Sequence, residues 1–131
     1  MNDDLKKIIE SSTSEVIPGR FIYAKVSEAP QINNHFLVSK DKDEITVVTE
    51  EKNLEGLKLI EKNKDYWALI ALNVSAPFYS VGFLAAVSSA IAKEIKDVLI
   101  VSTYSKDYIL VQYDFLEGVK KVLLSLGFKE K

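Results

Sequence analysis

The sequence predicts an α+β fold of the ferredoxin-like βαββαβ order, arranged as a tandem whose first copy is truncated, with antiparallel sheets carrying helices on one face. Three observations lead there. From Tyr66 onward the chain reads strand, helix, strand, strand, helix, with room for a stub of a last strand around Phe128. An internal repeat lays "FLVSKDKDEITVV" over "LIVSTYSKDYILV", placing Val38-Ser39 on Val101-Ser102 and, after a one-residue gap, Asp43-Glu-Ile45 on Asp107-Tyr-Ile109. "LEGLK" at Leu54–Lys58 then matches "LEGVK" at Leu116–Lys120, and "VSEAP" ending at Pro30 echoes "NVSAP" ending at Pro77. The offset is 47 residues at the Pro pair and 64 at the Asp pair, so the first copy is 17 residues shorter in between. That is about the length of one helix with its connections. The expected division is 1–65, an N-terminal helix plus the truncated half, and 66–131, the full copy, the two forming one compact unit.

The elements follow in order. Asn2 or Asp3 caps a short helix with Leu5, Ile8 and Ile9 on one side, ending in the polar run Ser11–Ser14. Pro18-Gly19 is read as a turn, Phe21–Val26 as a strand and Glu28–Asn34 as a loop. Phe36–Ser39 and Ile45–Val48 make a hairpin around "KDKD", and Glu50–Lys62 a short helix interrupted by Gly56. Tyr66–Leu72 is a strongly apolar strand. Ser75-Ala-Pro77 supplies a cap and a first-turn Pro for a helix with Val81, Leu84, Ser88, Ile91 and Ile95 in register. Val98–Val101 and Tyr108–Val111 are two buried strands joined by "STYSKDY". Asp114 with Glu117 signals the start of a last helix, Phe115, Val119, Val122, Leu123 and Leu126 form its apolar stripe, and Gly127 ends it.

Composition excludes several classes of function. The 131 residues carry 17 Lys plus Arg against 19 Asp plus Glu, a net charge of -2 with the signs interspersed, which is not the basic footprint of a nucleic-acid binder. With no cysteine there is no disulfide framework, thiol nucleophile or thiolate metal site, and a cytoplasmic address is the default. No signal-peptide pattern opens the chain and no apolar run reaches the length of a membrane span. The single histidine, His35, has no partner at triad or metal spacing. Arg20 reads as a surface residue, "KDKDE" as a solvated loop without full EF-hand spacing, and Trp67 as core. No phosphate-binding, nucleophile-elbow or zinc-protease motif occurs. The expectation is therefore no enzyme, no cofactor and no metal.

The short connection Ser102–Tyr108 contains no Gly, Asn or Pro, although tight hairpins usually recruit them. It carries hydroxyls and a carboxylate instead. Together with the preceding helix it resembles a known family. "VGFLAAVSSAIAKEIKDVLIVSTYSKDYILV", Val81–Val111, resembles the ACT domain, in the branch of small tandem-ACT proteins and the CASTOR-type arginine sensors. The resemblance is carried by Gly82-Phe83-Leu84 at the helix start, by Ser102-Thr103 with Asp107 and Leu110-Val111 in the hairpin, and by Pro18-Gly19 and "DEITVV" in the first half. It covers most of residues 18–127.

The resemblance implies a regulatory module that binds an amino acid or other small effector at an interface between domains, as a homodimer or larger assembly. Output would pass to a separate protein partner, with no nucleic acid or membrane involved. By position it implies ligand contacts from Pro77, Phe78, Val81, Gly82 and Phe83 on one side and from Ser102, Thr103, Tyr104 and Asp107 on the other. The acidic residue that often precedes the Gly of such loops is missing from Ser75–Val81. Physically, a zwitterion needs donors for its carboxylate and an acceptor for its ammonium; backbone N–H groups near Gly82 suit the first and Asp107 the second. The structural alternatives stand beside this. Ser102 and Thr103 can satisfy their own backbone, Asp107 can fix the turn, Gly82 can permit close helix–sheet packing, and Phe78 and Tyr79 can fill a dimer interface. A module of the same fold that has kept dimerisation without a ligand is the competing reading.

Overall fold

A computed structural model describes residues 3–74, 82–94 and 97–131. The proposed cap at Ser75–Pro77, the stripe positions Val81 and Ile95, and Asn2, Phe78 and Tyr79 lie outside the described residues. The chain divides into two units, Gly19–Trp67 and a second made of Met1–Pro18 with Ala68–Lys131. The expected boundary near residue 65 grouped the N-terminal helix with the first segment. Helix α1 (Asp3–Glu10) instead buries Leu5 and Ile9 in the core of the second unit. Ser12 Oγ donates to the Ile8 carbonyl at 2.6 Å and closes the end of that helix.

Strand β1 (Thr13–Val26) runs through Pro18-Gly19, where a turn was expected. A proline breaks a ladder only where its missing N–H is required, and pairing with β3 begins further on, at Phe21. Gly19 holds φ at +109°, and a Cβ there would run into the Glu50 carboxylate.

Within the unit Gly19–Trp67, β2 (Leu37–Lys40) and β3 (Ile45–Glu50) form the expected hairpin, and β3 pairs antiparallel with β1 from Phe21↔Glu50 to Val26↔Ile45. The segment read as a helix over Glu50–Lys62 is a 3₁₀ turn (Glu51–Gly56) followed by β4 (Leu59–Lys62), which pairs antiparallel with β1. No side chain caps the turn and Leu57 returns to extended backbone at φ −102°, ψ 147°. Leu54 and Leu57 alone pack inward, too short a stripe to hold a longer helix. The strand order is β4-β1-β3-β2, over a small core of Ala24, Val26 and Val47.

The second unit has the predicted order: β5 (Trp67–Asn73), α2 (Phe83–Glu94), β6 (Val98–Ser102), β7 (Asp107–Gln112), α3 (Leu116–Leu126) and the stub β8 (Lys129–Glu130). Its strands run β1-β5-β7-β6. The place beside β5 is taken by the start of β1, and β8 lies parallel to Thr13 and Ser14. Ala68, Ile70 and Leu72 of β5 and Ile109 and Val111 of β7 share one core with Leu5, Ile9, Val87, Ile91, Val119 and Leu123, so all three helices cover one sheet face. The buried positions of α2 are Phe83, Val87 and Ile91, one residue out of phase with the expected Leu84–Ser88 register. Strand β6 was expected to be buried. It ends the strand order and leaves Leu99 and Ile100 exposed.

Helix α3 starts after a 3₁₀ turn (Tyr113–Phe115) with no side-chain cap, so the Asp114–Glu117 signal is not used, and Phe115 lies 45% exposed rather than in the stripe. Gly127 ends the helix as expected, at φ +116°. Phe128 N–H bonds back to the Leu123 carbonyl at 3.1 Å, which turns the Phe128 ring edge-on against Phe83, centroids 5.9 Å apart.

The two hairpins share one register. Each has a four-residue loop, Asp41–Glu44 and Thr103–Lys106, closed by an N–H···O=C bond between its ends (3.0 and 2.8 Å), and the last strand pairs are Lys40↔Ile45 and Ser102↔Asp107. The offset is therefore 62, the same as between Leu54 and Leu116, and the one-residue gap of the sequence alignment disappears. Asp43 falls in the loop, and the counterpart of Asp107 is Ile45.

Replacing Leu123, 1% exposed, by Ala is expected to cost about 2–5 kcal/mol. Leu124→Ala, at a residue 51% exposed, should stay within about 0.5 kcal/mol. Urea unfolding of both variants checks which face of α3 meets the core.

Candidate ligand site on the hairpin of β6 and β7

Alternation along β7 explains the environment of Asp107. Residues 107, 109 and 111 share a face, and Ile109 and Val111 face the helices. Asp107 is carried onto the same side and is 4% exposed. Its Oδ1 accepts a hydrogen bond from the Ser102 hydroxyl at 2.6 Å, across the last strand pair. Its Oδ2 is buried and has no hydrogen-bond partner among the described residues. A buried carboxylate oxygen left unpaired is costly, and few occur in a native fold. The matching position of the other hairpin holds Ile45, packed on an apolar cluster.

The neighbouring hydroxyl has a different task. Thr103 Oγ1 donates to the Lys106 carbonyl at 3.0 Å and its N–H bonds the same carbonyl, so Thr103 closes the turn. Among the described residues none other than glycine takes a positive φ, so a loop of this length forms without Gly or Asn. Asp107 does not bond the turn backbone in any described hydrogen bond. Tyr104 stands 86% exposed at the tip.

Of the residues expected on the other side, Pro77, Phe78 and Val81 lie outside the described residues. Gly82 is exposed at φ +80°, and a Cβ there would meet only Leu5 Cδ2, at 3.7 Å. Its backbone angle, and not close packing, selects glycine. Phe83 is 1% exposed and belongs to the core. A helix such as α2 returns the chain along the sheet, so the strand it leads into runs parallel to the one it left. The end of β5, the Gly82 region and the turn between β6 and β7 therefore fall at one end of the sheet.

Elsewhere, Arg20 forms a bidentate pair with Glu51 (2.9 and 2.8 Å) and lies over the Tyr66 ring at 4.1 Å. Trp67 is 6% exposed and packs edge-on against Tyr23. Asp41 Oδ1 accepts from the Asp43 and Glu44 N–H groups, which orders the charged loop locally. Among the described residues no three metal-ligating side chains cluster and no helix is long and apolar enough to cross a membrane. Sequence reasoning passed over a pocket beside His35, whose only signal was the echo between "VSEAP" and "NVSAP".

Ser102→Ala leaves both Asp107 oxygens without their protein donor and is expected to destabilise by about 1–3 kcal/mol. Asp107→Asn keeps an acceptor for Ser102 and removes the buried charge, so the unliganded melting temperature should hold or rise. Differential scanning calorimetry of the two variants checks both.

Comparison with known proteins places this geometry. Residues 63–125, just under half of the chain, match the ACT domain family. Over 95% of this chain and 96% of the other, the structure resembles a Vibrio cholerae protein of unknown function described as a possible transport protein, at TM-score 0.80 and 21% identity. An Agrobacterium tumefaciens protein follows at TM-score 0.70 and 19% identity, with 92% of each chain covered. Aspartate kinase of Clostridium acetobutylicum, described as an allosteric enzyme, matches at TM-score 0.60 and 12% identity over 88% of this chain and 33% of the kinase. The comparison with curated proteins finds no match. The α+β unit with its antiparallel β5-β7-β6 face and covering helices, and the family match over the same residues, give one conclusion: residues 63–125 form an ACT domain.

Proposed function

We propose that this chain is a non-enzymatic regulatory protein whose ACT domain binds a small effector, an amino acid, at the end of the sheet that holds Asp107 and Gly82. One observation carries the reading. At an interior position where the equivalent hairpin packs isoleucine, this one buries a carboxylate with an oxygen left open. An ammonium group is the natural complement, because it brings charge and several donors to a site that lacks both. Ser102 orients Asp107 for that contact. Pro77, Phe78, Val81, Phe83, Thr103 and Tyr104 complete the assignment carried over from the family, with Phe83 acting from the core and Thr103 through the turn. The ligand acts by favouring one arrangement of ACT units over another, in a homodimer or with a separate protein. The constant offset of 62 between the hairpins supports a tandem origin in which the first copy is short of its helices.

A second reading has an observation of its own. Strand β6 is a sheet edge bearing exposed Leu99 and Ile100, a surface suited to pairing without any ligand. This is the dimerisation or protein-interaction module.

Thermal unfolding against each of the twenty amino acids separates the two. A ligand at about 100 times its Kd stabilises by about 2.7 kcal/mol, a shift of several degrees for a chain of this size. The sensor reading expects a selective shift that Asp107→Asn abolishes while the elution volume in size-exclusion chromatography is unchanged. A flat panel, together with a dimer that Ile100→Lys dissociates, rejects the sensor in favour of the interaction module.

A further inference from the structure

We infer that the unit Gly19–Trp67 holds a second small-molecule site, for a carboxylic acid bearing an amino or hydroxyl group, independent of Asp107. An open pocket of about 530 Å³ is lined by Glu28, Pro30, Ile32, His35, Asn53 and Lys58. Its walls are the loop that follows β1 and the 3₁₀ turn after β3. In the ACT unit α2 and α3 share one core and also line a surface pocket, through Ala90, Lys93, Gly118 and Lys121. In the unit Gly19–Trp67 a loop and a single turn line the pocket instead. The volume is within the usual range for a metabolite.

The polar floor is fixed by bonds around one buried group, Thr49. Thr49 is fully buried, and its Oγ1 accepts from Asn53 Nδ2 at 2.8 Å. The second Asn53 N–H goes to the Asn34 carbonyl at 3.2 Å, and Asn53 Oδ1 accepts from Asn34 Nδ2 at 3.1 Å. Thr49 Oγ1 and His35 Nδ1 lie 2.8 Å apart, in a hydrogen bond whose direction follows the imidazole tautomer. In the tautomer with its proton on Nε2, the half-buried ring accepts from Thr49 and keeps that N–H for a ligand.

Charge selects the ligand class. Lys58 and Glu28 both line the pocket and neither has an ion-pair partner among the described residues, whereas Lys52, also in the wall, is held by Glu50 at 3.3 Å. A carboxylate set against Lys58 and the His35 Nε2–H, with an amino or hydroxyl group towards Glu28, uses all three. Ile32, 70% exposed, and Pro30 offer apolar contact for the carbon skeleton. Gly56 lies in the wall with nothing within 4 Å of where its Cβ would be, so the absence of a side chain there helps keep the pocket open.

The test is a ¹⁵N–¹H NMR titration of the full chain with L-glutamate, L-malate and inorganic phosphate, each to about 10 mM. The expected result is a saturable shift of amides in 28–35 and 52–58 with at least one of the two acids. Affinity should fall about tenfold or more in Lys58→Glu and in Gly56→Leu, which fills open space, and persist in Asp107→Asn. Absence of saturable shifts in those segments overturns the inference, as does unchanged affinity in Lys58→Glu. Phosphate binding as tightly as the acids reduces the pocket to a simple anion site and also overturns it. Loss of binding in Asp107→Asn would assign the response to the hairpin site; retention there keeps the two sites distinct whichever way the amino-acid panel falls.

Discussion

The burial of β5 is the constraint on which the ACT unit depends. Six consecutive residues, Trp67 to Leu72, are buried, and their backbone groups need partners that water cannot supply. Hydrogen-bonded neighbours on both sides, β1 and β7, meet that need. One face of the strand also needs an apolar cover, which α1, α2 and α3 provide. The same alternation that sends Ile109 and Val111 of β7 into this core carries Asp107 with them. A buried carboxylate at the end of the hairpin is thus a consequence of strand register, and its tolerance by the fold requires a compensating donor, of which Ser102 is one.

Each unit holds a hairpin with a four-residue loop that leads into a 3₁₀ turn, at an offset of 62 between the two. In the ACT unit that turn continues into α3, because Val119 and Leu123 recur at helical spacing and find a core to enter. In the other it stops at Gly56, because only Leu54 and Leu57 turn inward and the chain goes on to β4. Less helix means a smaller core, built on Ala24, Val26 and Val47. The loop and the turn line a polar concavity with Asn34, His35 and Asn53, and the buried Thr49 bonds two of these, His35 and Asn53.

Much of this was legible in the residues because it rests on local patterns. Strand and helix order from Trp67 onward, the two hairpins, and the stop at Gly127 follow from alternation, helical spacing and glycine chemistry. The errors share a cause. Pro18-Gly19 reads as a turn from composition, yet a strand passes through it because pairing with β3 starts only at Phe21. "VLIV" reads as buried from hydropathy, yet β6 is an edge. Asp114 and Glu117 have the spacing of a capping pair, yet the chain enters α3 through a 3₁₀ turn that places the cap at Phe115.

For the sites the division is sharper. The sequence by itself determined the α+β class, the βαββαβ order, the family resemblance and the presence of Ser102 and Asp107 at the end of a hairpin, since each depends on residues near one another in the chain. Tertiary structure alone decided that Asp107 is buried with one oxygen open, that its counterpart is Ile45 and not Asp43, and that His35, Thr49 and Asn53 meet. Burial and partnership are properties of what folds against a residue, and contacts such as His35 with Thr49 are brought together by strand pairing, which no local pattern encodes.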